Sequence, residues 1–294
     1  MKVLVIGKDG QLAGAIGNER LPPNIELRFA GLPEIDLRRR GTATLQIDRE
    51  RPDWIVNTAA YTMVDRAEQE AELAFAINSE GAGEIAEAAA AVGARLVHIS
   101  TDYVFDGRSN RPLTEESPTG PVNVYGQSKL AGEEAVKRNC PDALIVRTSW
   151  LYSPFGNNFV RTILRLAEER DELRIVDDQI GCPTSASDLA AALIALLERG
   201  SKGDRTGAGG TYHFAGSEAC SWADFARGII AASLELGGKP TNVVSIATED
   251  YPTPAARPAY TVLDCGKFDR EFGFERPGWT DAVRPVVAEL MRAT

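Results

Sequence analysis

Apolar positions along this chain follow two patterns that alternate. Continuous apolar runs at KVLVIG (2–7), IELRFAG (25–31), DWIVNTAA (53–60), RLVHIS (95–100) and ALIVRTSW (143–150) read as strands, and an unbroken run such as KVLVIG is typical of a strand buried on both faces. Between these runs the apolar residues recur three and four apart. A short helix is expected after the glycine-rich stretch at 7–14. A long helix-rich segment follows over 64–93, with Ala, Glu and Leu at helical periods, and another helix runs through Tyr125 to about Asn139. Such β-α-β alternation predicts an α/β, Rossmann-type doubly wound parallel sheet with helices on both faces.

After Trp150 the alternation loosens. NNFVRTILRLAEE (157–169) reads as a helix, LRIVDDQ (173–179) as a short strand, and SASDLAAALIALLERG (185–200) as a helix with Ser185 as its N-cap. TYHFAG (211–216) is a strand of a length that suits the main sheet. SWADFARGIIAASLELGG (221–238) is a helix capped by Ser221 and ended by Gly237, and YPTPAARP (251–258) is too rich in proline for regular structure. The expected division is a first domain of 1–149 with 185–216, and a smaller C-terminal lobe of 150–184 with 217–294.

Composition narrows the function classes. The 294 residues carry 32 Lys and Arg against 42 Asp and Glu, a net charge of −10, which argues against nucleic acid or an anionic membrane as a general partner. No stretch approaches the ~20 apolar residues of a membrane span, and MKVLVIG is too short an apolar run for a signal peptide. The four cysteines are widely spaced without a CxxC pair, which suits reduced thiols in the cytoplasm. Two histidines leave little for a His-rich metal site or a Ser-His-Asp triad.

The stretch GKDGQLAG (7–14) follows the first strand and opens a helix. Gly7 permits the tight turn and Gly10 lets backbone approach a pyrophosphate at the helix N-terminus, which points to dinucleotide binding. An acid at the tip of the second strand would favour NAD, and a nearby arginine NADP. Ala30 and Gly31 stand there instead, with Asp36 a few residues on and Arg38, Arg39 and Arg40 after it. NADPH and NADH both stay open.

A second constellation lies in NVYGQSKLAGE. Tyr125 and Lys129 are one helical turn apart and leave the same face. STDYVFDG (100–107) sets hydroxyls at the C-terminal end of a strand, where open parallel sheets bind their ligands, so Thr101 and Tyr125 are able to converge on one oxygen.

Taken together, GKDGQL, WIVNTAAYTMVDRAE, VHISTDYVFDG, NVYGQSKLAGE, IVRTSWLY, NNFV, DDQIGCPT and YPTPAARP are similar in order and spacing to the extended short-chain dehydrogenase/reductase family, and within it to the dTDP-4-dehydrorhamnose reductases. The resemblance covers essentially the whole chain. It implies NAD(P)H-dependent reduction of the C4 ketone of a dTDP-linked 4-keto-6-deoxyhexose, the last step of dTDP-L-rhamnose synthesis. The first domain would bind the dinucleotide and the smaller lobe the sugar nucleotide.

Site residues follow from the same resemblance. Tyr125 would be the general acid, Lys129 would lower its pKa from ~10 and hold the nicotinamide ribose, and Thr101 would hydrogen-bond the substrate oxygen. Gly7, Gly10, Gln11 and Leu12 would line the pyrophosphate and ribose. Asp36 and Leu37 would contact the adenine, and Ala59, Ala60, Tyr61 and Thr62 would lie along the cofactor. Asp102, Trp150, Asn158 and Arg257 would meet the substrate, with Asn157 as an alternative to Asn158 and a core aromatic as the alternative for Trp150.

Departures from the family pattern also matter. Ala13 stands at the third glycine position. Some relatives bridge a dimer with Mg²⁺ through glutamates, one of them in the first helix, where Ala15 stands here. Neither that metal nor that dimer is therefore expected, although a homodimer of another kind stays open. Two rival readings are another nucleotide-sugar epimerase or dehydratase of the extended family, and a non-enzymatic NADP-binding regulatory subunit of methionine adenosyltransferase. A dehydratase would want Asp-Glu after the threonine, where this chain has Asp102-Tyr103.

Overall fold

The computed structural model describes residues 1–292. The first half builds β1 (Lys2–Ile6), α1 (Gln11–Asn18), β2 (Glu26–Ala30), α2 (Thr42–Glu50) and β3 (Trp54–Asn57). It continues with α3 (Val64–Ala67), α4 (Ala71–Phe75), a π-helical turn (Ala76–Gly81), α5 (Ala82–Val92), β4 (Arg95–Thr101), α6 (Val124–Asn139) and β5 (Leu144–Thr148). The second half holds β6 (Leu151–Tyr152), α7 (Phe159–Glu169), β7 (Glu172–Val176), β8 (Ile180–Gly181), β9 (Thr184–Ser185), α8 (Ala186–Ser201) and β10 (Thr211–His213). After these come β11 (Cys220–Ser221), α9 (Trp222–Glu235), β12 (Asn242–Ile246), α10 (Gly266–Phe272) and α11 (Trp279–Arg292).

One six-stranded sheet, ordered β2-β1-β3-β4-β5-β10, is parallel throughout. The unbroken apolar runs account for it, because β1, β3 and β5 need cover on both faces. Leu12, Ile16, Leu189 and Leu193 of α1 and α8 pack on one face. Ala43, Ile47, Ile85 and Val136 of α2, α5 and α6 pack on the other. Strand order reverses between β1 and β3, which opens a crevice at their C-terminal ends.

The smaller lobe has its own core. β7 pairs in parallel with β12, and Val160, Ile163, Phe225, Ile229, Val283 and Val287 from α7, α9 and α11 close over it. Ser185 and Ser221 cap α8 and α9 through the amides of Asp188 and Asp224. β10 joins the main sheet, and α8 packs on it, as the expected return of 185–216 requires. One amendment concerns 217–294: Phe268 of α10 lies in the core of the main sheet beside Tyr212 and Phe214, so this helix comes back across from the smaller lobe.

The helix-rich segment over 64–93 consists of α3, α4 and α5 with the π-helical turn between the last two. Asn78 in the π-helical turn is buried, its amide bonding both the N–H and the C=O of Tyr61 and the Ser128 hydroxyl. Those bonds tie α6 to the loop after β3, and the extra residue in the turn swings Asn78 to reach them.

Candidate active site

A cleft of about 850 Å³ runs along the C-terminal ends of β1, β3 and β4 toward the smaller lobe. One end is the glycine turn. Gly7 adopts φ +104°, and a Cβ there would lie 2.8 Å from both the Ala59 N and the Thr58 Oγ1. Only glycine lets the turn pass this close to the loop after β3. Gly10 is the N-cap of α1 and no side chain caps the helix, so its first amides are left for a ligand. Gln11, Leu12, Asp36, Leu37, Ala59, Ala60 and Thr62 also line this arm.

Asp36 does not stand free. Arg38 forks its carboxylate with two bonds of 2.7 Å and holds it below the usual carboxylate range. Arg38 itself faces the cleft, as does Lys8, which pairs with Glu34 at 2.8 Å.

Thr101, Asp102, Tyr125, Lys129 and Trp150 line the other arm. Asn123 caps α6 through the Gly126 amide at 2.8 Å, which fixes the turn that carries Tyr125. The Tyr125 phenol and the Thr101 hydroxyl line the same end of the cleft. Lys129 is buried and its ammonium donates to the Ile99 carbonyl at 2.7 Å. Burial pushes this ammonium down to about 8, with the Glu133 carboxylate one turn away acting in the opposite sense.

The expected acidification of Tyr125 is not seen. Burial pushes the phenol up to about 12, and the Asp102 charge raises it further. Desolvation of the phenolate is the largest of these effects. Beneath this pair lies a support absent from the sequence reading. Glu133 is fully buried and takes bonds of 2.8 and 2.7 Å from Arg147 and 2.6 Å from Ser100.

A family model described as RmlD substrate binding domain matches residues 1–292. A curated dTDP-4-dehydrorhamnose reductase from Sinorhizobium fredii is 44% identical over 99% of this chain and 98% of its own length. The chain belongs to the dTDP-4-dehydrorhamnose reductase family. Two solved members bear the same likeness. The reductase from Clostridium acetobutylicum superposes with a TM-score of 0.91 at 36% identity, over 99% of this chain and 100% of that one. The reductase from Bacillus anthracis, solved in complex with NADP, gives 0.90 at 37% identity, over 98% and 99%.

Three residues expected at this reductase site lie elsewhere. Tyr61 is 5% exposed and its hydroxyl bonds Glu70, so it backs the loop rather than facing the cleft. Asn158 caps α7 and its amide nitrogen bonds Gln11 at 3.0 Å and the Ser153 carbonyl at 2.8 Å; its neighbour Asn157 lines the cleft instead. Arg257 closes its fork on Asp65 at 3.0 and 2.7 Å, outside the cleft lining. Asp102 reaches the cleft wall, but its carboxylate is engaged by neighbouring hydroxyls.

One cleft residue carried no signal in the sequence. Trp222, at the start of α9, stacks on Trp150 on the smaller lobe's side of the cleft. In the sequence it reads only as the first apolar position of an amphipathic helix.

Proposed function

We propose that this chain reduces the C4 ketone of dTDP-4-dehydro-β-L-rhamnose to dTDP-L-rhamnose with NADPH or NADH, the last step of dTDP-L-rhamnose biosynthesis. What carries the reading is the meeting of Thr101, Tyr125 and Lys129 at one end of a cleft whose other end is the Gly7–Gly10 turn, in a chain of this family. The NADP complex of the Bacillus anthracis relative supports the dinucleotide. So do the uncapped α1 N-terminus and the space that a Cβ at Gly7 would fill.

When bound, the reduced nicotinamide supplies the hydride. Every other task falls to the chain. Residues 1–149 with 185–216 hold the dinucleotide, through Gly7, Gly10, Gln11 and Leu12 at the pyrophosphate. Asp36 and Leu37 bound the adenine end, and Ala59, Ala60 and Thr62 flank its length. Tyr125 keeps its proton at neutrality and gives it to the substrate oxygen as that oxygen becomes negative. Lys129 stabilises the phenolate that remains and holds the ribose. Trp150, with Trp222 behind it, shapes the sugar end.

The test is purified protein with dTDP-4-dehydro-β-L-rhamnose and each reduced dinucleotide. Consumption of the dinucleotide with formation of dTDP-L-rhamnose is expected. Turnover with neither would overturn the reading, and a different sugar nucleotide formed without net consumption of dinucleotide would favour an epimerase or dehydratase.

A further inference from the structure

The dinucleotide arm of the cleft ends at the tip of β2, where a Rossmann-type sheet reads the 2′ position of the adenosine ribose. A carboxylate there accepts from a 2′-hydroxyl, and a cation there takes a 2′-phosphate. In this chain the tip is Ala30 followed by Gly31, and neither offers a side-chain acceptor. Two carboxylates follow, Glu34 and Asp36, and cations engage both. Asp36 takes the Arg38 amide at 3.1 Å and the Arg38 guanidinium at 2.7 Å on each oxygen, with Arg39 at 3.7 Å besides. Glu34 takes the Lys8 ammonium at 2.8 Å; of these two only Lys8 lines the cleft.

The fold sets Lys8 at this tip. Its amide donates to the Ala30 carbonyl at 3.2 Å, which ties the glycine turn to the end of β2. Its side chain then lies along Gly31, where a Cβ would come within 3.0 Å of the Lys8 Cγ and 3.5 Å of its Cδ. The glycine is a seat for the lysine stem. The pair that Lys8 makes with Glu34 is open to water, with side chains 29% and 47% exposed, so it is weak and gives way to a stronger anion. Arg38 lines the cleft as well. Lys8, Arg38 and Arg39 stand against Glu34 and Asp36, three cations against two carboxylates, which leaves one positive charge in excess.

We propose that Lys8 and Arg38 make this chain selective for the 2′-phosphorylated dinucleotide, NADPH over NADH. Lys8 exchanges Glu34 for the phosphate. Arg38 masks Asp36, the carboxylate that would otherwise accept from a free 2′-hydroxyl. The selectivity rests on the dinucleotide-binding part of the reading above and names which of its two cofactors the chain takes.

Binding to the full chain tests this without turnover. NADPH and NADH are titrated by their fluorescence, and adenosine 2′,5′-bisphosphate and 5′-AMP by calorimetry, all at one ionic strength. The wild type is expected to bind the 2′-phosphorylated member of each pair at least about tenfold more tightly, the worth of one charge-assisted hydrogen bond. Lys8→Met keeps an apolar stem on Gly31 and should bring the ratio within about threefold by weakening the phosphorylated ligands. Glu34→Gln should raise the ratio, since nothing then competes for the ammonium; it leaves both cations in place and keeps the test open should Lys8→Met not fold. Arg38→Met should lower the ratio from the other side, by tightening NADH. Equal affinities in the wild type, or a ratio that neither Lys8→Met nor Glu34→Gln moves, would overturn the selectivity, and an Arg38→Met chain that gains nothing for NADH would overturn the masking. A wild type that reduces the sugar and binds both dinucleotides equally overturns the selectivity alone. One that prefers NADPH in binding yet reduces no sugar overturns the reduction alone.

Discussion

Trp150 and Trp222 stack face to face, with ring centroids 3.4 Å apart and planes 6° from parallel. Trp150 holds φ +45°, a backbone state that a bulky residue adopts only when its surroundings enforce it. Trp222 and the close approach of Gly181 to the Trp150 indole supply that enforcement. Both rings pack on the core of the smaller lobe and form its wall of the cleft.

Removing one ring should therefore loosen the other. Trp222→Leu is expected to raise KM for the sugar nucleotide about tenfold, in line with ~1.4 kcal/mol for a stacked aromatic pair. KM for the dinucleotide should stay within about twofold, because Trp222 is at the other arm. Steady-state kinetics with each substrate varied in turn would check this, and an unchanged KM for the sugar would place the substrate elsewhere.

Tyr125→Phe removes the phenol hydrogen and little else. Reduction should fall about 10²- to 10⁴-fold, the usual worth of a positioned acid. Binding of reduced dinucleotide, followed by its fluorescence, should persist. A variant that retains near-normal turnover would mean that the proton comes from another group.

Much of this frame was legible because it is local. The runs at 2–7, 53–60 and 143–150 announce doubly covered strands, and the one-turn spacing of Tyr125 and Lys129 sets them on one face whatever the helix packs against. What could not be read depends on neighbours far along the chain. Trp222 reaches the cleft only because α9 docks beside Trp150. Asn158 is expected to meet the substrate, but its amide closes α7 and reaches Gln11, 147 positions away. β12, α10 and α11 went unread, since Pro285 sits inside α11 and Phe268 finds its core only when α10 returns to the sheet. The direction of the Tyr125 shift is out of reach for the same reason: burial is a property of the assembled fold, and here it is the largest effect on the phenol.

Lys129 sets a limit on the alkaline side. Its ammonium is pushed down to about 8, so charge is present below that pH and leaves as pH rises through it. If the charge supports the phenolate, kcat/KM should fall along a limb near pH 8, and Lys129→Met should be slow with that limb gone. Glu133→Gln removes the carboxylate that favours the ammonium and should move the limb to lower pH. A profile flat past pH 10 would show that this amine does not govern the reaction.

Gly126, next to Tyr125, is required by close packing. A Cβ there would lie 2.2 Å from the Tyr103 carbonyl oxygen and 2.9 Å from Pro121. Gly126→Ala should push the first turn of α6 off β4, destabilising the fold by about 1–3 kcal/mol and moving the phenol away from Thr101. Thermal unfolding and kcat should drop together. A variant with the wild-type melting temperature and full kcat would show that the contact relaxes without moving the site.

The buried charge of Asp102 should appear in the pH dependence of stability. Desolvation pushes its carboxyl up to about 6, against the hydroxyl bonds that lower it, from an ordinary value of 3.8. Because the folded value is the higher one, the native state binds more protons between the two, and this favours folding at low pH. The contribution is fully present below the unfolded value and is lost as pH rises through about 6. Asn at this position cannot ionise and escapes the loss. The melting temperature of Asp102→Asn relative to wild type should therefore climb between about pH 4 and pH 7, by the equivalent of up to ~3 kcal/mol. Its lost hydrogen bonds offset the level of this difference and not its slope. The other groups around the carboxylate, Tyr103, Tyr125 and Cys182, are all held above their ordinary values and stay neutral across this range. A difference that is flat with pH would mean that the carboxyl is ionised in the fold as readily as in water.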